Sequence, residues 1–209
     1  MDEIITNLHL SSLTPATKTP ALLAAKITLV LTISDSNLPL STRTSFLASS
    51  ITQLHFSVHD LPSDDLLAIF PSTCNLIQTQ LASNKGVLIH SGIGMSCSAA
   101  VVTAYIMKVR MLGAFEAMDL VRERHGGIMP NLGFVNQLVV WEECGWELFE
   151  EVDGERRKKS AYEEWKGEAR EGSGKGKLIT WGCAGGVKEG KGKGKEKLID
   201  EVCMCESDA

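Results

Sequence analysis

Apolar residues in the N-terminal half of the chain follow patterns that are typical of strands in an α/β protein. The segment Ile4–Leu13 alternates apolar and polar residues, which predicts one or two short edge strands. Ile27–Ser34 is an almost continuous run rich in β-branched residues, as expected of a strand buried on both faces. Thr52–Val58 has a period of two, and Val87–His90 is a short apolar run that ends at a histidine. Strands are therefore expected in four regions before residue 91.

Between and after these strands, apolar residues recur at helical spacing. Residues 19–26 can form a short helix, because proline is tolerated in a first turn. Ser63 is a candidate N-cap for the next helix, since Asp64 and Asp65 would favour the positive end of its dipole. The serine- and threonine-rich residues 35–51 are expected to form a loop. Further helices are predicted over residues 97–111, 114–123 and 131–147, after an apolar helical face at residues 66–81.

Strands that alternate with helices predict an α/β fold, a three-layer sandwich whose central, mostly parallel sheet is flanked by helices. In such a sheet a ligand binds at the carboxyl ends of the strands. His90 ends a predicted buried strand, so the loop after it should lie at that edge.

The composition divides the chain into a folded domain and a tail. Hydrophobic residues make up 44% of the chain and charged residues 22%, which is typical of a soluble globular protein. The last 60 residues, however, contain 27 charged residues and 11 glycines. We therefore expect a domain over residues 1–149 and a mostly disordered tail over residues 150–209.

Charge and cysteine usage exclude several classes of protein. The net charge of −5 gives no excess of cations for a nucleic-acid backbone. We find no apolar stretch long enough for a membrane span, and the acidic start lacks the pattern of a signal peptide. The six scattered cysteines are expected to be reduced thiols of an intracellular protein, cytoplasmic, nuclear or both. Cys203 and Cys205 have no second pair of ligands, so neither a metal nor a cofactor is predicted.

The stretch IHSGIGMSCS, residues 89–98, joins a strand to a helix through a loop punctuated by glycines. Its backbone N–H groups from Gly92 to Cys97 can turn inward around a centre, with Gly94 free to adopt a positive φ. The positive end of the following helix dipole would then favour a dianion such as a phosphoryl group. On these residues alone, an ordinary strand-to-helix turn explains the pattern equally well.

Three longer motifs resemble those of a known family. VLIHSGIGMSCSAAVVTAYIMK (residues 87–108) resembles the active-site segment of the dual-specificity protein phosphatases, within the cysteine-dependent tyrosine-phosphatase superfamily. PNLGFVNQLVVWE (residues 130–142) is similar to the family's final helix, in which Asn131 and Gln137 are expected to hold loops in place. HFSVHDLPSDDLLAIFP (residues 55–71) resembles its strand, acid loop and helix. The resemblance covers about residues 4–148.

The resemblance implies a role for each residue of the site. Asp60 matches the general acid, and Ser98 matches the hydroxyl that follows the family's arginine. Ser91 stands where the family has its nucleophilic cysteine, and Cys97 stands where it has its arginine. The implied phosphate-binding loop consists of Ser91, Gly92, Ile93, Gly94, Met95, Ser96 and Cys97.

These two replacements lead to a hypothesis of lost catalysis. A serine hydroxyl is not ionised by the field that ionises a cysteine, and the side chain of Cys97 is too short to grip a phosphoryl group. We therefore expect a pseudophosphatase, related in its logic to the styx-type members, that binds phosphoproteins or acts as a scaffold. The alternatives are a protein tyrosine/serine/threonine phosphatase with residual or unconventional activity, or an engineered or erroneous variant of an active one. Expected partners are proteins phosphorylated on tyrosine, serine or threonine, or a component of a phosphatase or kinase pathway, bound by a monomer.

Overall fold

The structure is a computed structural model that describes residues 1–170, with side chains described as far as residue 167. The strands are β1 (Asp2–Ile5), β2 (Leu8–Ser11), β3 (Ile27–Ile33), β4 (Thr52–Phe56), β5 (Gly86–His90), β6 (Phe149–Val152) and β7 (Glu155–Lys158). The helices are α1 (Leu13–Ala16), α2 (Thr19–Ala24), α3 (Leu40–Ala48), α4 (Phe70–Ala82), α5 (Cys97–Arg110), α6 (Ala114–Arg124), α7 (Leu132–Glu143) and α8 (Ser160–Arg170). A 3₁₀ turn, Leu67–Ile69, leads into α4.

Five strands form the central sheet in the order β1-β2-β5-β3-β4. The β1–β2 pair is antiparallel, whereas β2–β5, β5–β3 and β3–β4 are parallel. His90 pairs with Ser11 on one side and with Thr32 on the other, so β5 ends in the middle of the sheet. The loop after His90 therefore leaves from the centre of the carboxyl edge, as predicted.

Alternate side chains of the inner strands face two different cores. On β3, Leu29, Leu31 and Ile33 pack in the larger core with residues from α4 to α7. Val30 faces the opposite side, where it packs with residues from α1 to α3 such as Phe46. The sheet thus lies between two helical layers, and the predicted three-layer α/β sandwich with a mostly parallel central sheet is confirmed.

Helix α5 lies beneath the loop of interest and is the most deeply buried helix. Every residue from Cys97 to Met107 is buried, and three of them are alanines, which allow neighbouring elements to approach closely. The indole of Trp141 in α7 donates to the carbonyl of Ala104 at 3.2 Å, which satisfies its N–H inside the core. This packing gives the start of α5 a fixed position under the loop.

Two local predictions are wrong. The serine- and threonine-rich segment contains helix α3, which the buried side chain of Phe46 holds against the second core. The helix expected directly after Ser63 does not begin there. Asp64 accepts from the backbone N–H of His59 at 2.7 Å, and Asp65 accepts from that of Ala68 at 3.0 Å, so both carboxylates stabilise turns.

Helix α7 is shorter than predicted, because it ends at Glu143 instead of residue 147. Gly145 and Trp146 both have positive φ, at 60° and 58°, which is incompatible with a continued right-handed helix. The Nζ of Lys159 donates to the carbonyl of Cys144 at 2.6 Å and so satisfies one of the free carbonyl groups at this helix end.

The fold continues beyond residue 149, where the tail was expected to begin. Strands β6 and β7 form an antiparallel hairpin, and α8 follows it. Tyr162 of α8 is 3% exposed and joins the larger core, while Lys166 lies 3.1 Å from Asp65. Residues 150–170 are thus attached to the domain, and the rest of the predicted tail, residues 171–209, lies outside the described residues.

No single helix within the described range is long and apolar enough to cross a membrane. Helices α5 and α6, which meet at a bend of 117°, are long and apolar enough only when they are counted together.

Candidate functional site

The loop of residues 91–96 is held tightly against the end of β2. Gly94 has a φ of +84°, and a Cβ there would lie 2.6 Å from the carbonyl oxygen of Ser11. Next to it, the N–H of Leu13 donates to the carbonyl of Gly92 at 3.1 Å. The positive φ and the close backbone approach both require glycine at position 94, so the prediction that Gly94 adopts a positive φ is confirmed.

Ser91 lies at the bottom of the loop and is 6% exposed. Its Oγ is 2.9 Å from Oγ of Ser98, and it accepts a hydrogen bond from the N–H of Gly94 at 3.1 Å. The structure therefore brings together Ser91 and Ser98, which the sequence analysis identified as two separate positions of the family motif. Both groups that contact the Ser91 hydroxyl are neutral, and neither is a base.

The preceding histidine faces the sheet. Nε2 of His90 lies 2.9 Å from Oγ1 of Thr32 on β3, and Thr32 in turn accepts from the side-chain amide of Gln53 at 2.9 Å. Burial lowers the pKa of His90 to about 4, so the imidazole is neutral at physiological pH. Such an imidazole is a weak base, and its Nε2 is hydrogen-bonded to Thr32, away from the Ser91 hydroxyl. Sequence reasoning missed Thr32 and Gln53, although their positions on two adjacent strands could have suggested a cross-strand pair.

Cys97 is the first residue of α5 and is 4% exposed. Burial raises the pKa of its thiol to about 12, and the carboxylates of Asp60, Asp64 and Asp35 act in the same direction. Although the position at a helix N-terminus would allow an ionised thiol, burial dominates, and the thiol stays protonated.

Asp60 connects the acid loop to two other segments. Its Oδ1 accepts from the hydroxyl of Ser96 at 2.6 Å and from the side-chain amide of Asn131 at 2.7 Å. The N–H of Asn131 donates to the same Ser96 hydroxyl at 3.2 Å, and its Oδ1 caps α7 by accepting from Phe134 at 3.0 Å. The acid loop, the loop after β5 and the start of α7 thus share one hydrogen-bond network.

Gln137 holds the far side of the acid loop. Its Oε1 accepts from the N–H of Leu67 at 2.7 Å, and its Nε2 donates to the carbonyl of Asp64 at 2.8 Å. Gly133, one turn earlier, lies so close that a Cβ would be 2.1 Å from the carbonyl oxygen of Pro62. The prediction that Asn131 and Gln137 hold loops in place is confirmed, while the steric role of Gly133 was missed.

The site offers amide and hydroxyl groups but little positive charge. Residues 89–98 contain no lysine or arginine, and the carboxylate of Asp60 lies beside them. Within residues 1–170, no group of three or more His, Cys, Asp or Glu side chains is placed to hold a metal ion. The groups of the loop that form hydrogen bonds around Ser91 and Ser96 are thus hydroxyls and a backbone amide, beside one carboxylate.

Comparison with known proteins agrees with this architecture. The sequence model of the family "Dual specificity phosphatase, catalytic domain" matches residues 8–144. The Drosophila melanogaster protein "Dual specificity protein phosphatase MPK-4" is 34% identical over 148 residues, which are 71% of this chain but 38% of that protein. The chain thus spans about two fifths of that relative's length.

Solved structures show the same fold. Human DUSP28 is 31% identical, with a TM-score of 0.62, over 68% of this chain and 92% of the other. The human tyrosine phosphatase-like serine/threonine/tyrosine-interacting protein is 32% identical, with a TM-score of 0.61, over 68% of this chain and 95% of the other. The matched region includes the loop, the acid segment and α7, so the chain belongs to the dual specificity phosphatase family.

Proposed function

We propose that the protein is a pseudophosphatase, a dual specificity phosphatase fold that binds phosphoproteins or acts as a scaffold without turning over phosphate esters. The observation that supports this most directly is the environment of Ser91. Its hydroxyl lies where the family resemblance places the nucleophile, yet its contacts are the hydroxyl of Ser98 and the N–H of Gly94.

A serine nucleophile needs a base within hydrogen-bond reach. The histidine that precedes Ser91, His90, has its Nε2 hydrogen-bonded to Thr32 on the neighbouring strand. The amides and the helix dipole that would lower the pKa of a thiol have too little effect on an aliphatic alcohol to ionise it. The attack on phosphorus therefore has no ionised nucleophile.

The second missing component is the clamp on the phosphoryl group. Cys97, at the position that the resemblance assigns to arginine, is a buried neutral thiol. Two hydrogen bonds from a guanidinium to phosphoryl oxygens would contribute roughly 1.5–3 kcal/mol each. Their absence corresponds to a loss of roughly 10²- to 10⁴-fold in rate, in addition to the loss of the nucleophile.

The same features support a binding role. The glycine-containing loop has a fixed shape, because Gly94 is held against the end of β2, and we expect its backbone amides to face a bound phosphoryl group. Phosphate binding through these amides should be weak, since Asp60 repels a dianion and no cation of the loop attracts one. One relative of known structure is named as an interacting protein, which fits a family member that works by binding. We expect partners among phosphorylated proteins or components of phosphatase and kinase pathways.

Hydrolysis of an aryl phosphate by the native chain, compared with Ser91→Ala, tests the loss of catalysis. We expect no turnover above background in either protein. Turnover that disappears in Ser91→Ala would contradict the proposal and favour an unconventional phosphatase.

Titration with phosphotyrosine and phosphothreonine peptides, followed by NMR, tests what binding remains. Small shifts confined to the amides of Gly92–Cys97 are expected. If those amides do not respond, the phosphoprotein-binding role is lost and only the scaffold role stands.

A further inference from the structure

Four exposed apolar side chains surround the mouth of the loop and are called the apolar rim below. They are Leu61, Ile93, Met129 and Leu132, which are 52%, 75%, 71% and 77% exposed. Burial of apolar side chains of this size against a partner lowers the free energy of the complex. A group of such exposed side chains is typical of an interaction surface.

Hydrogen bonds and close contacts join the loops that carry the apolar rim. Leu61 follows Asp60, which is bonded to Asn131, the residue before Leu132. The backbone N–H of Met129 donates to the carbonyl of Met95 at 2.8 Å, in the same loop that carries Ile93. The close approach of Gly133 to Pro62 adds a second link between the neighbours of Leu132 and Leu61. The rim is thus built on three loops that one network holds in place.

The charged side chains around the start of α5 are carboxylates. Asp60, Asp64 and Asp35 are the charged groups that act on the Cys97 thiol. His59 lies 3.1 Å from Asp64 and balances it only when protonated. A phosphoryl dianion entering the mouth would meet these carboxylates, whereas a lysine or arginine side chain would be attracted to them.

We propose that the apolar rim docks an unphosphorylated, extended segment of a partner protein whose apolar side chains are flanked by lysine or arginine. The inference rests on the proposed function, since a binding module must have a docking surface, and it assigns the scaffold role to this face. Exposed apolar groups would supply most of the affinity, and the surrounding carboxylates would select basic partners.

The test uses four fluorescently labelled peptides. The first has three leucines separated by serines, with two arginines at each end. In the second, glutamates replace the arginines; in the third, serines replace the leucines; in the fourth, one serine of the first peptide is phosphorylated. Fluorescence anisotropy should show that the first peptide binds at least tenfold more tightly than any other, and its affinity should fall as salt is added.

Variants of the full chain locate the binding surface. The double variant Ile93→Ser, Leu132→Ser should weaken binding of the first peptide at least tenfold. The matched control Leu47→Ser, at an 80% exposed position near the end of α3, should leave it unchanged. All three substituted side chains are exposed, so circular dichroism should show an intact fold.

Several results would overturn the inference: no binding of the first peptide, equal or tighter binding of the glutamate or phosphorylated peptide, or an unaffected double variant. Self-association of the chain that the double variant abolishes would also overturn it, because the rim would then bind a second copy. Aryl phosphate turnover is measured in parallel. Turnover dependent on Ser91 contradicts the proposed function, whereas absent turnover together with absent peptide binding contradicts this inference alone.

Discussion

Restoring the two replaced residues, with Ser91→Cys and Cys97→Arg together, should convert the protein into a phosphatase. The geometry needed by a thiolate is present, since the Ser98 hydroxyl and the Gly94 amide already lie 2.9 and 3.1 Å from the Ser91 side chain. These groups would donate to a thiolate as they would to any anion. The double variant therefore tests the fold of the loop and the proposed loss of catalysis together.

The guanidinium at position 97 should lower the pKa of the thiol introduced at position 91. With Ser91→Cys alone, the new thiol would be buried with no cation beside it, so more of it should stay protonated than in the double variant. A guanidinium about 4 Å from the thiolate contributes about 4 kcal/mol at an effective dielectric constant of about 20. This interaction lowers the pKa of the thiol by about 3. Two bonds to the phosphoryl group add a further factor of roughly 10²–10⁴ in rate.

Two assays measure the two effects separately. Aryl phosphate hydrolysis should be clear in the double variant and at least 100-fold slower in Ser91→Cys alone, as the clamp estimate requires. Alkylation of position 91 by iodoacetamide, followed by mass spectrometry as a function of pH, reports the pKa of the introduced thiol. That pKa should be lower in the double variant by about 3.

An ionised but inactive thiol in the double variant would refute this reasoning, because the loop or Asp60 would then be misplaced for catalysis. Equal activity of Ser91→Cys alone and of the double variant would refute it in a different way, since the clamp at position 97 would then contribute nothing.

Three further predictions concern the surroundings of the site. Gly133→Ala places a Cβ 2.1 Å from the carbonyl oxygen of Pro62 and should lower the free energy of unfolding by about 1–3 kcal/mol. The control Gly126→Ala adds a Cβ in open space and should leave the free energy of unfolding unchanged. Urea denaturation of both variants measures the difference. Burial lowers the pKa of His90 to about 4 in the folded protein. As pH falls below 6.5, this histidine therefore takes up a proton in the unfolded chain but stays neutral in the folded one. The free energy of unfolding should therefore drop by about 2 kcal/mol between pH 7 and pH 5, and His90→Gln should remove that part of the slope. Asp60→Ala leaves the donors of Ser96 and Asn131 without their acceptor and should lower the free energy of unfolding by about 1–2 kcal/mol. Asp60→Asn keeps an acceptor oxygen and should lower it less. Thermal denaturation of both variants measures the difference.

The strands and the buried helix α5 could be predicted from the sequence because their patterns are local. The run Ile27–Ser34 and the alanine-rich segment after Cys97 are apolar enough to indicate buried elements without knowledge of their neighbours. Helix α3 was missed because it buries only Thr42 and Phe46, and two side chains are too weak a pattern against a serine- and threonine-rich background.

Tertiary contacts explain the other differences. Asp64 and Asp65 look like first-turn residues of a helix, but which amide a carboxylate caps depends on how the chain turns nearby. Helix α8 was missed for a similar reason. Tyr162 and Trp165 are three residues apart in a strongly charged segment, and they become a packing face only when Phe149 and the larger core are present.

The carboxylate of Asp60 has a structural role that does not depend on catalysis. The resemblance implies a general acid there, and its presence could be taken as a sign of catalysis. In the structure, however, the same oxygen of Asp60 links Ser96 to Asn131, and Asn131 also caps α7. An acceptor at this position therefore helps to join the loops, whether or not a proton is transferred. By contrast, the hydrogen bonds between the loops make no use of a thiolate at position 91 or a guanidinium at position 97. Under the proposed function, substitution at positions 91 and 97 would remove a reaction while leaving these contacts in place, so a binding surface on the same loops would persist.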